Sequence, residues 1–210
     1  MIRILVADDH AVVREGVKRI VADTSDLVVA GEASQGHEVL SQVAAWTYDV
    51  VLLDISMPGR SGLEVLQQLK REYPALSVLV FSMHPENQYA LRAFKAGASG
   101  YLTKDSIPEE LVAAIRKIVR GGRYVSPSLA EYLVVEVTTG SDKPLHASLS
   151  DREYQVLGLL ASGKTVTEIA NGLSLSVKTV STHRSRILEK MHMKTNAELI
   201  HYAIRHRLIE

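Results

Sequence analysis

The run VVLLD (50–54) decides the fold: two valines and two leucines end abruptly on a carboxylate, Asp54. A short continuous apolar run is the pattern of a strand buried on both faces, as in a parallel sheet. Working outward, three further runs end on polar groups. IRILVADD (2–9) ends on Asp8 and Asp9, SVLVFS (77–82) on Ser82, and GYLTK (100–104) on Lys104. In an open parallel sheet the crevice for chemistry lies beyond the carboxyl ends of the strands. Three carboxylates, one hydroxyl and one ammonium therefore converge there. Clustered carboxylates repel unless a cation sits among them, and oxygen-rich sites of this kind suit Mg2+. A metal, a carboxylate nucleophile and a lysine are the parts needed to accept a phosphoryl group.

Around that run, strand-like and helix-like patterns alternate. Strands are predicted at Ile2–Ala7, Val28–Ala33, Val50–Leu53, Ser77–Phe81 and Gly100–Leu102. Amphipathic helices are predicted at Val12–Val21, Glu38–Trp46, Leu63–Glu72, Gln88–Ala96 and Pro108–Val119. Five such units predict an α/β domain whose doubly wound parallel sheet is covered by helices on both faces. Ser61–Glu64 and Ser106–Glu109 read as capping boxes, the second with Pro108 in the first turn of its helix.

After Gly121-Gly122 the alternation stops. Pro127–Val137 reads as one more helix and TTGSDKP (138–144) as a flexible linker. The chain is thus divided into a domain at 1–122, a linker at 123–147 and an all-α domain at 148–210. The last carries helix patterns near 151–161, 166–172, 177–191 and 196–205. Ser150–Glu153, Thr165–Glu168 and Thr195–Glu198 read as capping boxes, and Ser176 as a further cap. Gly163 and Gly172 stand where left-handed helix ends are wanted.

The chain has no cysteine, which excludes disulfides and zinc–thiolate sites. The N-terminus meets an acidic pair too early for a signal peptide, and no apolar run approaches membrane-spanning length, so a soluble, cytoplasmic protein without membrane contact is expected. Net charge is zero, but residues 148–210 hold 9 Lys/Arg against 6 Asp/Glu, and residues 1–147 hold 15 against 18. This asymmetry points to an acidic module joined to one that meets a polyanion.

Asp8-Asp9, Asp54 followed by Met57-Pro58 and Gly62, Ser82, and Lys104 in GYLTK resemble the receiver domain of two-component response regulators over roughly the first 120 residues. The resemblance implies a flavodoxin-like strand order, 2-1-3-4-5. It implies that Asp54 is the phosphoacceptor. It assigns Mg2+ to Asp9, Asp54 and the Ser56 carbonyl, with Asp8 acting through water. By the same resemblance Lys104 pairs with the phosphoryl group, the Ser82 hydroxyl swings to bond it, and Tyr101 moves inward with that hydroxyl. The positions of Ser56 and His84 resemble those that tune loss of the phosphoryl group. From the residues alone, Tyr101 is equally a packing aromatic and His84 equally an exposed loop residue. The other histidines show no metal-ligand spacing, with His183 and His192 nine apart on one predicted helix.

On a helix from Val177, the residues Val177, Val180, Ile187, Leu188 and Met191 form one apolar stripe. Lys178, Ser181, Thr182, Ser185 and Glu189 lie opposite, with His183, Arg184, Arg186 and Lys190 on the flanks. Small polar groups facing base edges between basic flanks facing phosphates suit a helix in the major groove. Glu153, Val156-Leu157, Gly163, Glu168-Ile-Ala170, Leu175, Thr179-Val180, His183 and Leu188 resemble the LuxR-type helix-turn-helix domain of NarL/FixJ response regulators. That resemblance implies contacts to double-stranded DNA from Thr165, Lys178, Thr179, Ser181, Thr182, His183, Arg184, Ser185, Arg186 and Lys190. It also implies a sensor histidine kinase as partner and a homodimer when phosphorylated or DNA-bound. Family members often carry lysines where this chain has Ser181, Thr182 and Ser185, and hydroxyls discriminate bases less. Leu199, Ile200, Tyr202, Ala203 and Ile204 read either as part of a dimer contact or as plain core.

The expected function is a phosphorylation-controlled transcription factor rather than an enzyme. Related aspartyl-phosphate enzymes carry a second acid two positions after the nucleophile, where this chain has Ser56. A constitutive DNA binder with a vestigial receiver is the other alternative, and the filled pocket argues against it.

Overall fold

The computed structural model describes residues 1–138, 144–206 and 208–209 and divides into two compact units, Met1–Thr138 and Thr139–Glu210. Most of the expected linker TTGSDKP lies outside the described residues.

The first unit alternates β1 (Ile2–Ala7), α1 (Ala11–Ala22), β2 (Leu27–Ala33), α2 (Gly36–Ala45), β3 (Val50–Leu53), α3 (Gly62–Glu72), β4 (Ser77–Ser82), α4 (Glu86–Lys95), β5 (Gly100–Thr103) and α5 (Pro108–Val119). All four strand pairings are parallel, in the order β2-β1-β3-β4-β5. The expected doubly wound sheet and its strand order are therefore the ones present. Every residue of β3 is buried, as its unbroken apolar sequence requires. Ile4, Val6, Leu52 and Leu79 meet Leu111, Ile115 and Ile118 of α5 in one core. Truncating such a leucine to alanine costs about 2–5 kcal/mol.

α6 (Pro127–Thr138) follows and falls within the first unit. The segment before it adds a parallel bridge between Tyr124 and Gly100 at the outer edge of β5.

Two caps in this unit differ from expectation. Ser61 does precede α3, but its side chain makes no capping bond. There the backbone turns back, and the Gly62 amide bonds the Ile55 carbonyl at 3.2 Å. Before α5 the cap position belongs to Ile107, because Pro108 fixes the first helical residue. Ser106 is drawn into a turn instead, its amide bonding the Thr103 carbonyl at 3.1 Å.

The second unit contains a short 3-10 turn at Leu145–Ser148, then α7 (Asp151–Ala161), α8 (Val166–Gly172), α9 (Val177–Lys190) and α10 (Asn196–Arg205). Ser150, Thr165 and Thr195 each close a reciprocal capping box with Glu153, Glu168 and Glu198, and Ser176 accepts the Thr179 amide. Such caps stabilise by about 1 kcal/mol each. Gly163 takes the left-handed conformation after α7 (φ 83°). Gly172 does not; it is the last helical residue of α8, and Ser174 makes the left-handed turn at φ 54°. The turn therefore comes two residues later, where the chain reverses from α8 into α9. His192 also lies past its helix, with φ 54°.

Candidate functional site

Asp8 follows β1 and Asp54 follows β3, and parallel pairing brings both to one end of the sheet. The Asp8 amide bonds the Ala33 carbonyl at 3.0 Å and the Asp54 amide bonds the Ala7 carbonyl at 2.9 Å. Both carboxylates are buried, at 2% exposure. Ligand atoms of Asp8, Asp9, His10 and Asp54 all lie within 4.8 Å of one another.

Lys104 reaches into this group from the end of β5. Its ammonium lies 2.5 Å from Asp8 Oδ2 and 2.8 Å from Asp54 Oδ2. Burial works to lower the Lys104 pKa, but the Asp54 and Asp8 carboxylates outweigh it and hold the ammonium above its ordinary value. Two buried carboxylates thus face one buried ammonium, and the exposed Asp9 adds a third carboxylate to the cluster. The carboxylate oxygens are hard donors that fit a divalent cation such as Mg2+, whereas the His10 imidazole is a donor type that suits transition metals better.

His10 also stands in the cluster, a residue absent from the expected site. Its Nδ1 stands 2.9 Å from Asp9 Oδ1, and its amide donates to Asp8 Oδ1 at 2.9 Å. Adjacency to the acidic pair was the available signal.

Asp54 stays aimed because its surroundings are tight. Ser56 N–H donates to Asp54 Oδ1 at 3.1 Å. A Cβ at Gly62 would sit 2.2 Å from the Asp54 carbonyl oxygen, so any side chain there displaces the strand end.

His84 is the hub of the neighbouring loop. Its amide donates to Ser82 Oγ at 3.2 Å, and its carbonyl accepts from the Tyr101 hydroxyl at 2.9 Å. Its ring stacks on Tyr89 of α4 at 4.5 Å, and Nε2 lies 3.0 Å from Ser56 Oγ. Burial pushes the His84 pKa down, which favours the neutral imidazole. Tyr101 is completely buried, and burial raises its pKa. The five sequence-predicted strand-end groups, with Ser56, His84 and Tyr101, are thus assembled in one place.

In the second unit, α9 turns Val180, Ile187 and Met191 inward, with Leu188 half-buried. Val177 departs from the expected stripe: it is 49% exposed, because it begins the helix beyond the packed face. Lys178, Ser181, Thr182, Ser185, Arg186 and Glu189 are exposed, as is Thr165 at the cap of α8. Thr182 and Ser185 donate their hydroxyl protons to the carbonyls of Lys178 and Ser181, at 2.9 and 3.1 Å. Thr179 is half-buried, with its hydroxyl 2.8 Å from Ser176 Oγ.

Of the flanking residues, His183 and Arg184 are half-buried, while Lys190 is exposed but paired. Arg184 Nε donates to Asn196 Oδ1 at 2.7 Å, and Lys190 Nζ lies 2.6 Å from Glu153 Oε2. Of α10, Leu199, Tyr202 and Ala203 are buried while Ile204 is 60% exposed. No helix among the described residues is long and apolar enough to cross a membrane.

Comparison with known proteins accounts for both units. The response regulator receiver domain model matches residues 4–116, and the model for bacterial regulatory proteins of the luxR family matches 147–203. Response regulator UvrY of Escherichia coli K12 is 38% identical over 209 residues, covering 99% of this chain and 96% of its own. Response regulator GacA of Pseudomonas protegens is 41% identical over 211 residues, covering 100% and 99%. RcsB of Salmonella enterica serovar Typhimurium, solved on promoter DNA with the phosphomimetic BeF3−, matches with a TM-score of 0.61 at 26% identity, covering 96% of this chain and 97% of that one. The chain belongs to the NarL/FixJ-type response regulators, which join a receiver domain to a LuxR-type DNA-binding domain.

Proposed function

We propose that a sensor histidine kinase phosphorylates Asp54, and that the aspartyl phosphate controls sequence-specific binding of double-stranded DNA by the second domain. The observation that carries this reading is Asp54 itself: a buried carboxylate with Oδ2 held by Lys104 at 2.8 Å beside Asp8. A carboxylate oxygen of Asp54 forms the new bond to phosphorus, and the donor's imidazole leaves with the electrons of the broken P–N bond. Lys104 stays charged and pairs with the incoming phosphoryl oxygens. Ser82 offers its hydroxyl to one of them, and Ser56 N–H holds the other Asp54 oxygen in place. Asp8, Asp9 and Asp54, with the Ser56 carbonyl, would hold Mg2+, with the His10 ring paired to Asp9 beside them. When bound, that ion offsets charge on the transferring oxygens. Ser56 and His84 set how fast water reaches the aspartyl phosphate.

In the DNA-binding domain, α9 enters the major groove. Lys178, Ser181, Thr182 and Ser185 face base edges, with Thr165 and Thr179 at the turn and Arg186 toward the backbone. With their protons committed to helix carbonyls, Thr182 and Ser185 present acceptor lone pairs. Arg184 and Lys190, tied to Asn196 and Glu153, reach the phosphates from fixed poses, and His183 lies on the same flank. RcsB binds promoter DNA in the presence of a phosphomimetic, which supports the same order of events here. Pairing of two chains on one DNA strengthens two weak half-sites through effective concentration.

Incubation with acetyl phosphate and Mg2+ tests the reading. Wild-type protein gains one acid-stable, base-labile label, and Asp54→Ala gains none; labelling of Asp54→Ala overturns the assignment.

A further inference from the structure

α6 does not merely trail from the receiver; its first turn is fastened to α4. Ser126 is the cap of α6: Pro127 opens the helix, and Leu129 N–H donates to Ser126 Oγ at 3.1 Å. The same Ser126 hydroxyl donates to Glu86 Oε2, and Ser128 Oγ donates to that oxygen at 3.4 Å. Glu86 is the first residue of α4, directly after Pro85 at the cap position. Upstream, Tyr124 N–H donates to the Ser99 carbonyl at 3.0 Å, and Tyr124 bridges Gly100 at the sheet edge. A Cβ at Gly100 would lie 2.9 Å from Tyr124 Cβ, so the segment passes close against β5. Leu129 in the first turn of α6 is buried, at 1% exposure, while Val134 is exposed.

The other end of this linkage is the acidic site. Glu86 lies two residues after His84, and the His84 amide is held by Ser82 Oγ at 3.2 Å. We propose that residues 124–138 are a built-in readout of the site, seated through Glu86 and loosened when Ser82 turns to a phosphoryl group on Asp54. This rests on the phosphoacceptor reading above. A hydroxyl committed to a phosphoryl oxygen no longer holds the His84 amide as it does here. The loop His84–Pro85 then readjusts, and the carboxylate that orients the cap of α6 moves with it. One hydroxyl, Ser126 Oγ, both starts α6 and ties it to α4, so displacement of Glu86 weakens the helix at its start. The segment entering the linker thereby carries the state of Asp54.

Amide hydrogen exchange on the full chain, with and without BeF3− and Mg2+, tests this. In wild type the mimic alters exchange at 82–86 and accelerates exchange at 126–138 by about tenfold or more. Glu86→Ala accelerates 126–138 to a similar degree without the mimic, and the mimic then adds little. Glu86→Gln, which keeps an acceptor oxygen, restores most of the protection. If the mimic alters 82–86 but leaves 126–138 unchanged, or if Glu86→Ala leaves 126–138 protected, the proposal is overturned while the phosphoacceptor reading stands. If neither segment responds to the mimic, the phosphoacceptor reading fails and the readout with it.

Discussion

Ser56 Oγ and His84 Nε2 lie 3.0 Å apart, tying the loop after β3 to the loop after β4 beside the acidic cluster. Each residue stands two positions after a group of the site, Asp54 and Ser82, so the bond links the carboxylate's loop to the hydroxyl's. Burial favours the neutral imidazole at His84, whose ring then offers one donor and one acceptor nitrogen, and Nε2 lies against Ser56.

Removing that partner changes the lifetime of the aspartyl phosphate. Ser56→Ala frees Nε2 to orient water, and the label on Asp54 is lost several-fold faster than in wild type. Decay of radiolabel after removal of the donor measures this.

Lys104 compensates two buried carboxylates, and its loss is felt most without metal. Lys104→Ala destabilises the metal-free receiver by about 3–5 kcal/mol, as for a buried pair stripped of one partner. Added Mg2+ raises the melting temperature of the variant more than that of wild type. The raised Lys104 pKa also sets a direction with pH. Its contribution is fully present below the ordinary lysine value of about 10.4 and is lost as pH rises through the raised value. Thermal melts between neutral and strongly alkaline pH follow it.

Glu153 governs acid stability in the second domain. Burial alone would raise its carboxyl, but the Lys190 ammonium and the Ser150 amide and hydroxyl hold it below the usual carboxylate range. Its stabilisation is therefore present above the unfolded value of about 4.3 and lost as pH falls through the depressed folded value. Glu153→Gln lowers stability at pH 7 by about 1–3 kcal/mol and flattens that acid limb. Urea melts of the full chain at several pH values, followed by exchange of α7 amides, measure both effects.

On DNA, exposed and engaged cations separate. Arg186→Ala weakens binding evenly across sequences and reduces the salt slope by about 1. Arg184→Ala, which releases Asn196 at the start of α10, lowers the melting temperature as well as affinity. Titrations at several salt concentrations, beside thermal melts, distinguish the two.

The sheet was legible because four of its strands are mainly apolar runs followed by polar groups, and those strand ends placed Asp8, Asp54, Ser82 and Lys104 together. Local patterns failed where a tertiary contact outweighed them. Ser61 looks like a cap, but the chain there packs back on Ile55. Gly172 looks like a left-handed helix end, but the reversal falls at Ser174. The Lys190–Glu153 pair joins residues thirty-seven apart, which no local pattern shows. The Glu86–Ser126 tie spans forty residues and no periodicity announces it.

The proposed control of DNA binding by phosphorylation of Asp54 is open to direct measurement. Its most direct test is the affinity for DNA fragments recovered by genome-wide mapping, measured for wild type and Asp54→Ala with and without acetyl phosphate and Mg2+. Wild-type affinity rises with acetyl phosphate and that of Asp54→Ala does not. Equal affinity under all four conditions contradicts the account and leaves a constitutive DNA binder.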